Sequence, residues 1–254
     1  MASTGTALYT INRNDLIKSS LRAIRVIQEG QTPSTQMYTD AAECLNILIK
    51  QMQSRGLALW TYTTIAIPMV AAKNFYTLGP VAADIIINRP LRLFEGAYIR
   101  DNSCSNNLLD TPLRVLSRLE YLQYGNKLTQ SIPNSCYYDS QFNIASNLTS
   151  PSTGWGTLYV YTTPIDNTRT IYGNFQRQLY DMTNGTDEFD FPSEAFLALR
   201  WGLAAELVDE YEVPEERIKR VESKAKYYAD ELEAWSVETA PLYLTPDYQM
   251  GIRR

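Results

Sequence analysis

The spacing of apolar residues changes period twice along this chain. Residues 1–56 place them three and four apart, as on one face of a helix. Residues 57–190 break into short β-branched and aromatic runs separated by turn residues, and residues 191–235 return to helical spacing. A short amphipathic helix gains most of its stability by burying its stripe against a neighbour, so the two helical ends are expected to pack on one another. The pattern therefore predicts an α+β fold with four parts. These are an N-terminal helical hairpin (1–56), a central antiparallel β-rich insertion of sandwich or barrel type (57–190), C-terminal helices completing a helical bundle (191–235), and an extended C-terminal arm (236–254).

The local signals are specific. Asn12 is placed to cap a first helix, with Asp15 three residues on, and Ile17, Leu21, Ile24 and Ile27 follow before Gly30. Thr32 and Pro33 read as the cap and first position of a second helix. Tyr38, Ala41, Ala42, Leu45, Leu48, Ile49 and Met52 form its stripe, and Gly56 its end. Cys44 lies beside that stripe, where buried packing is its expected role. Strands are expected over 61–70, 75–78, 91–100, 135–138, 157–161 and 170–178, with a short helix over 117–123. Residues 140–156, rich in Asn, Ser, Pro and Gly, read as a long exposed loop.

Helix resumes at Pro192. Phe196, Leu199, Leu203 and Leu207 make one apolar face, and Leu197, Trp201, Ala204 and Val208 a second, so this helix should be sandwiched. Pro214 opens the last helix, with Glu215 and Glu216 at the positive end of its dipole. Ile218, Val221, Ala225, Tyr228, Leu232 and Trp235 form a heptad-type seam, supported by the pairs Glu215–Lys219, Glu216–Arg220 and Glu222–Lys226. The seam suits packing against the N-terminal hairpin or a contact between subunits. Beyond it, Leu242, Tyr243, Leu244, Tyr248 and Ile252 are too apolar for a solvated linker. Pro241, Pro246 and Gly251 interrupt the run, which is also too short for a core of its own. Arms of this kind dock on a partner or on their own domain.

Composition then narrows the chemistry. The 254 residues include no histidine, which excludes Ser-His-Asp and Cys-His sites, His-ligated zinc and histidine pH switches. Cys44, Cys104 and Cys136 form neither a disulfide framework nor a metal spacing, and suit a reducing compartment. Gly154-Trp155-Gly156 lacks the rest of a dinucleotide fingerprint, and no phosphate loop is present. Asp187, Glu188 and Asp190 could serve as paired acid and base in a hydrolase or bind a hard cation, although acidic residues ahead of a helix also suit its dipole. Asp209, Glu210 and Glu212 read as a solvated corner. No catalytic, cofactor-binding or metal-ligating residue is predicted, and no cofactor. The longest apolar run, residues 65–72, is broken by Pro68, so no membrane partner is expected.

The net charge of −5 is uneven. Residues 1–127 carry 13 basic and 9 acidic side chains, and residues 128–254 carry 10 and 19. Such a chain lacks the basic stripe of a protein that grips phosphates. Its 18 tyrosines are better suited to protein interfaces than to stacking on bases, which would call for clustered Arg and Lys. A tyrosine-rich binding module is one reading of that composition.

The order of local motifs resembles the head-to-tail adaptor proteins of short-tailed bacteriophages, also described as packaged-DNA stabilisation, tail accessory or tail tubular A-like proteins. The matching stretches begin with Thr32-Pro33, Gly56-Leu57-Ala58-Leu59-Trp60, Tyr76-Thr77-Leu78-Gly79-Pro80 and Arg89-Pro90-Leu91-Arg92. They continue through Ser117 to Tyr121, Tyr137-Tyr138-Asp139, Leu158-Tyr159-Val160-Tyr161 with Pro164, and Phe191-Pro192-Ser193-Glu194. The last are Ala198-Leu199 with Leu203-Ala204, and Tyr211-Glu212-Val213-Pro214. Where members carry Pro-x-Pro, this chain has Thr162-Thr163-Pro164, and its 140–156 segment is longer. The resemblance implies a structural protein of the virion head–tail junction, made in the bacterial host cytoplasm. It implies self-association in a twelvefold ring with bundled helices, beneath a portal protein. The β-rich part would face a tail nozzle, fibre or spike protein, and double-stranded DNA would pass through without sequence-specific contact. It also implies that the C-terminal arm, with Leu242, Tyr243, Leu244, Tyr248, Ile252, Arg253 and Arg254, reaches the portal.

Overall fold

Asn12 does cap the first helix: its side chain accepts the Asp15 N–H at 2.8 Å, opening α1 (Arg13–Ala23). The computed structural model describes residues 9–54, 61–103, 109–143 and 154–236. Gly56, Cys104, residues 144–153 and the whole arm from residue 237 lie outside the described residues. Helix α1 stops well before Gly30, because Arg25 adopts a positive φ of 65° and turns the chain there. The second helix, α2 (Thr35–Ser54), is capped by Ser34 rather than Thr32, the Ser34 hydroxyl accepting the Met37 N–H at 3.2 Å. Both residue types can cap, and the one whose oxygen reaches an orphan amide sets the boundary.

The β-rich middle is a two-sheet arrangement. Strands β1 (Tyr62–Pro68), β2 (Phe75–Gly79), β3 (Ile85–Ile86), β4 (Arg92–Asp101), β5 (Leu109–Pro112) and β6 (Arg114–Val115) come first. Helix α3 (Arg118–Gln123) follows, then β7 (Gln130–Ser131), β8 (Ser135–Asn143), β9 (Trp155–Tyr161), β10 (Thr163–Pro164) and β11 (Arg169–Gln176). One sheet has the order β1-β11-β4-β5 and is antiparallel throughout. The other, β3-β2-β9-β8-β6, is mixed: β2 with β3 and β6 with β8 run parallel, as do β7 and β10 in a separate pair. The purely antiparallel expectation is corrected accordingly. Each parallel pair is only two residues long, so no periodic signal in the sequence could announce it. Between the two main sheets lies a core that includes Ile67, Ile99, Ile171 and Phe175 from the first, and Tyr76, Leu78, Cys136, Leu158 and Val160 from the second. Strand β8 also takes residues 140–143 out of the expected loop.

The remaining helices are α4 (Phe196–Leu207), led in by a 3-10 turn at Ser193–Ala195, and α5 (Glu215–Trp235). The expected helical bundle is not what the helices form. Helix α4 is the hub, buried along both expected apolar faces except at Leu197, which is exposed at its first turn, and α1, α2 and α5 each pack on it. Helices α2 and α5 face one another across a groove of about 370 Å³, floored by Ala198, Gly202 and Ala205 of α4 and rimmed by Gln51, Glu206, Lys226, Asp230 and Glu233. Closing a bundle there would strip water from these charged and amide groups over a floor of small side chains, which disfavours it. The fold is thus α+β, with helices around α4 and mixed sheets between its two helical ends.

The two cores are joined along residues 177–182, which run beside α2. Asn46 exchanges hydrogen bonds with Met182, its Nδ2 donating to the carbonyl at 3.3 Å and its Oδ1 accepting the amide at 3.0 Å. Lys50 donates to Leu179 O at 3.2 Å and pairs with Asp181 at 2.6 Å, while Gln53 Nε2 donates to Arg177 O at 3.3 Å. Among the described residues, no helix is long and apolar enough to cross a membrane.

Candidate interaction surfaces

Alternation along β8 and β9 sends Cys136, Tyr138, Leu158 and Val160 into the core and Tyr137 and Tyr159 to the opposite face. Tyr137 and Tyr159 are register partners and stack with centroids 6.0 Å apart at 10°. Tyr121 of α3 lies against both, at 5.6 Å and 5.5 Å, and Phe75 of β2 extends the row at 6.5 Å from Tyr159. Tyr124 stacks on Tyr161 at 4.2 Å. Lys127 donates to Tyr124 O at 2.8 Å and holds its ammonium 5.3 Å from the Tyr121 ring.

Helix α3 is fixed on this face by a capping box. Ser117 Oγ accepts the Glu120 N–H, and the Glu120 carboxylate accepts the Ser117 N–H at 2.8 Å and an Arg114 Nη2 proton at 3.0 Å. The hydrogen bond from the Ser117 backbone, first among these contacts, holds the Glu120 carboxyl below its ordinary range. With Tyr121 turned inward, α3 presents Leu119 and Leu122 to solvent, 74% and 59% exposed. Leu128, Ile132 and Ile165, around the β7–β10 pair, are exposed as well. A stacked aromatic row beside several exposed leucines and isoleucines is the composition of a protein-docking surface. The tyrosine count pointed toward interfaces. The row itself was missed, although residues 137, 159 and 161 occupy alternate positions on neighbouring strands.

The α5 seam faces its own molecule. Val221 and Leu232 are buried, and Ile218, Ala225 and Tyr228 are half-buried against the helical core. Trp235 is 49% exposed at the end of the row. Arg217 donates through Nε to Ala23 O at 2.9 Å, tying α5 to the end of α1. Glu215 and Lys219 pair at 2.8 Å, whereas Glu216–Arg220 and Glu222–Lys226 do not close to ion-pair distance. Leu242, Tyr243, Leu244, Tyr248, Ile252, Arg253 and Arg254 lie outside the described residues.

The acidic triplet separates into different duties. Asp187 accepts from the backbone N–H groups of Asn184 at 2.6 Å and Thr183 at 2.9 Å, and the Asn184 bond leads in holding its carboxyl below the usual range. Glu188 forms a backbone bridge to Asn12, and Asp190 is ion-paired with Arg177. The three carboxylates therefore hold a turn, a strand-like bridge and a junction rather than converging on one point. Among the described residues no three acidic or thiol groups gather in a metal-binding arrangement. Glu210 is not merely a solvated corner: Cys44 Sγ lies 3.4 Å from its carboxylate. Burial, then the Glu210 contact, pushes the Cys44 thiol up to about 11. Cys44 is half-buried rather than buried, and Cys136, fully enclosed, is pushed by burial to about 12. No family model matches the sequence, and no curated protein does.

Proposed function

We propose that this chain is a structural, non-enzymatic head-to-tail adaptor of a short-tailed bacteriophage virion. In this reading it is made in the host cytoplasm and assembles as a ring of twelve copies beneath the portal protein. It joins the portal to a tail nozzle, fibre or spike protein and continues the channel through which double-stranded DNA passes. The observation that carries the reading is exposed Leu119 and Leu122 beside the half-buried, stacked rings of Tyr137 and Tyr159, with Tyr121 buried against both, a surface suited to a protein partner. The motif order supports the family assignment.

The charge distribution supports it as well. A channel that DNA must traverse is served by weak phosphate binding, because every neutralised phosphate adds affinity through counterion release. A basic-leaning N-terminal half and an acidic C-terminal half also suit head-to-tail contact between neighbours in a ring.

Sedimentation with isolated portal rings tests the reading. The full chain is expected to co-sediment with portal, and a chain ending at Trp235 to bind at least tenfold more weakly. Equal binding by both would remove the arm from the account, and binding by neither would overturn it.

A further inference from the structure

Strand β1 is an edge strand, and the direction of its unpaired groups follows from register. Thr61 O accepts the Arg177 N–H at 2.9 Å, and the Met69 N–H donates to Arg169 O at 2.9 Å. With Tyr62 opposite Gln176 and Pro68 opposite Thr170, the odd-numbered residues of β1 bond to β11. The N–H and C=O groups of Thr64 and Ala66 therefore point away from the sheet, and among the described residues nothing pairs with them. Pro68 ends this outward row, having no N–H to offer.

That edge opens into a slot rather than bulk solvent. A cavity of about 660 Å³ runs beside residues 63–66, with Ile85, Ile87 and Pro90 lining it alongside Ile65 and Arg177 among the residues at its other boundary. The slot lies between the open edges of the two sheets, β1 on one side and β3 on the other. Unpaired edges are normally blunted by charge, proline or a covering segment. Residues 62–67 carry no charge and no proline, so covering is the device left to this edge.

We propose that the β1 edge receives residues 242–245 of this chain as an added strand. Leu242-Tyr243-Leu244-Thr245 is bracketed by Pro241 and Pro246, which limits its pairing to four residues. Four extended residues turn two N–H and C=O sets toward a neighbour, the number that Thr64 and Ala66 present. Leu242 and Leu244 share one face of such a strand, suiting the apolar wall formed by Ile65, Ile85 and Ile87. The inference concerns the free chain and stands independently of the adaptor reading.

Hydrogen exchange at single amides tests it on the full chain. The Thr64 and Ala66 amides should exchange at least tenfold more slowly in the natural protein than in Leu242→Asp/Leu244→Asp. The Ile67 amide, bonded to β11, should be unchanged and so report an intact fold. Tyr243→Pro, which removes an amide from the run without adding charge, should give the same release. Fast exchange of Ala66 in the natural protein would overturn the proposal. Slow exchange that survives both variants would also overturn it, by showing that another occupant covers the edge.

Discussion

Arg177 and Asp190 tie the sandwich to the helical core: Arg177 Nη2 lies 2.7 Å from Asp190 Oδ1, and Nη1 bonds the second carboxylate oxygen. Arg177 follows β11 directly and Asp190 stands just ahead of the turn that leads into α4, so the pair closes the crossing between the cores. The hydrogen bond to Asp190 holds the Arg177 guanidinium above its ordinary pKa, and both side chains are largely screened from water. Asp190→Asn keeps the shape but removes the charge-assisted fork. It should lower stability by about 1.5–3 kcal/mol in urea unfolding, the range for hydrogen bonds to charged groups.

Gly156 should tolerate no side chain. A methyl there would sit 2.6 Å from Tyr138 Cζ, inside van der Waals contact. Tyr138 cannot step aside freely, because its hydroxyl donates to Pro90 O at 2.7 Å within the core. Gly156→Ala is expected to cost about 1–3 kcal/mol through overpacking. Tyr138→Phe, which leaves the Pro90 carbonyl without that donor, should cost about 1 kcal/mol. Thermal unfolding of the two variants gives the order directly.

The pH profile of stability should have a broad flat centre, since no histidine titrates there. Asp110 is held low by its hydrogen bonds from Arg100, and Asp187 by those from Asn184 and Thr183. Groups held low in the folded state stabilise it above their unfolded pKa, so this contribution is lost as pH falls below roughly 4. Cys44 and Cys136 are raised by burial to about 11 and about 12. The unfolded thiols release their protons first, so stability should decline as pH rises above roughly 8.5. Chemical unfolding across that range checks both limbs, and a slope near neutrality would contradict the account.

Leu119 and Leu122 should matter for binding and not for folding. Both project from α3 into solvent, and surface substitutions of this kind shift stability by no more than about 0.5 kcal/mol. Leu119→Glu/Leu122→Glu should therefore melt like the natural protein while binding the tail protein of the proposed adaptor role at least tenfold more weakly in a titration. Unchanged binding would remove this surface from the interface.

Much of the secondary structure could be read from residue spacing, because caps and periodicity are local. Asn12 and Ser117 sit where their oxygens meet orphan amides, and β4, β9 and β11 fall within two residues of the expected runs. The boundaries at Arg25 and Ser34 were not legible. A positive φ at a non-glycine residue leaves no composition signal, and Thr32 and Ser34 are equally able caps. The arrangement of helices around α4 was also hidden, since a stripe shows that a face is buried without saying which neighbour buries it. The α2 row of Asn46, Lys50 and Gln53 was hidden for the opposite reason. Its polar side chains look solvated in sequence but grip the backbone of residues 177–182. The acidic triplet looked like possible acid–base chemistry because sequence proximity brings Asp187 and Asp190 together, while their hydrogen bonds pull them to separate tasks.

The mass of the complex formed on purified portal rings tests the central claim most directly. The account expects a discrete species with twelve copies of this chain per portal ring, formed by the full-length protein without added enzyme or cofactor. A chain that stays unbound at concentrations well above those of assembly would contradict it.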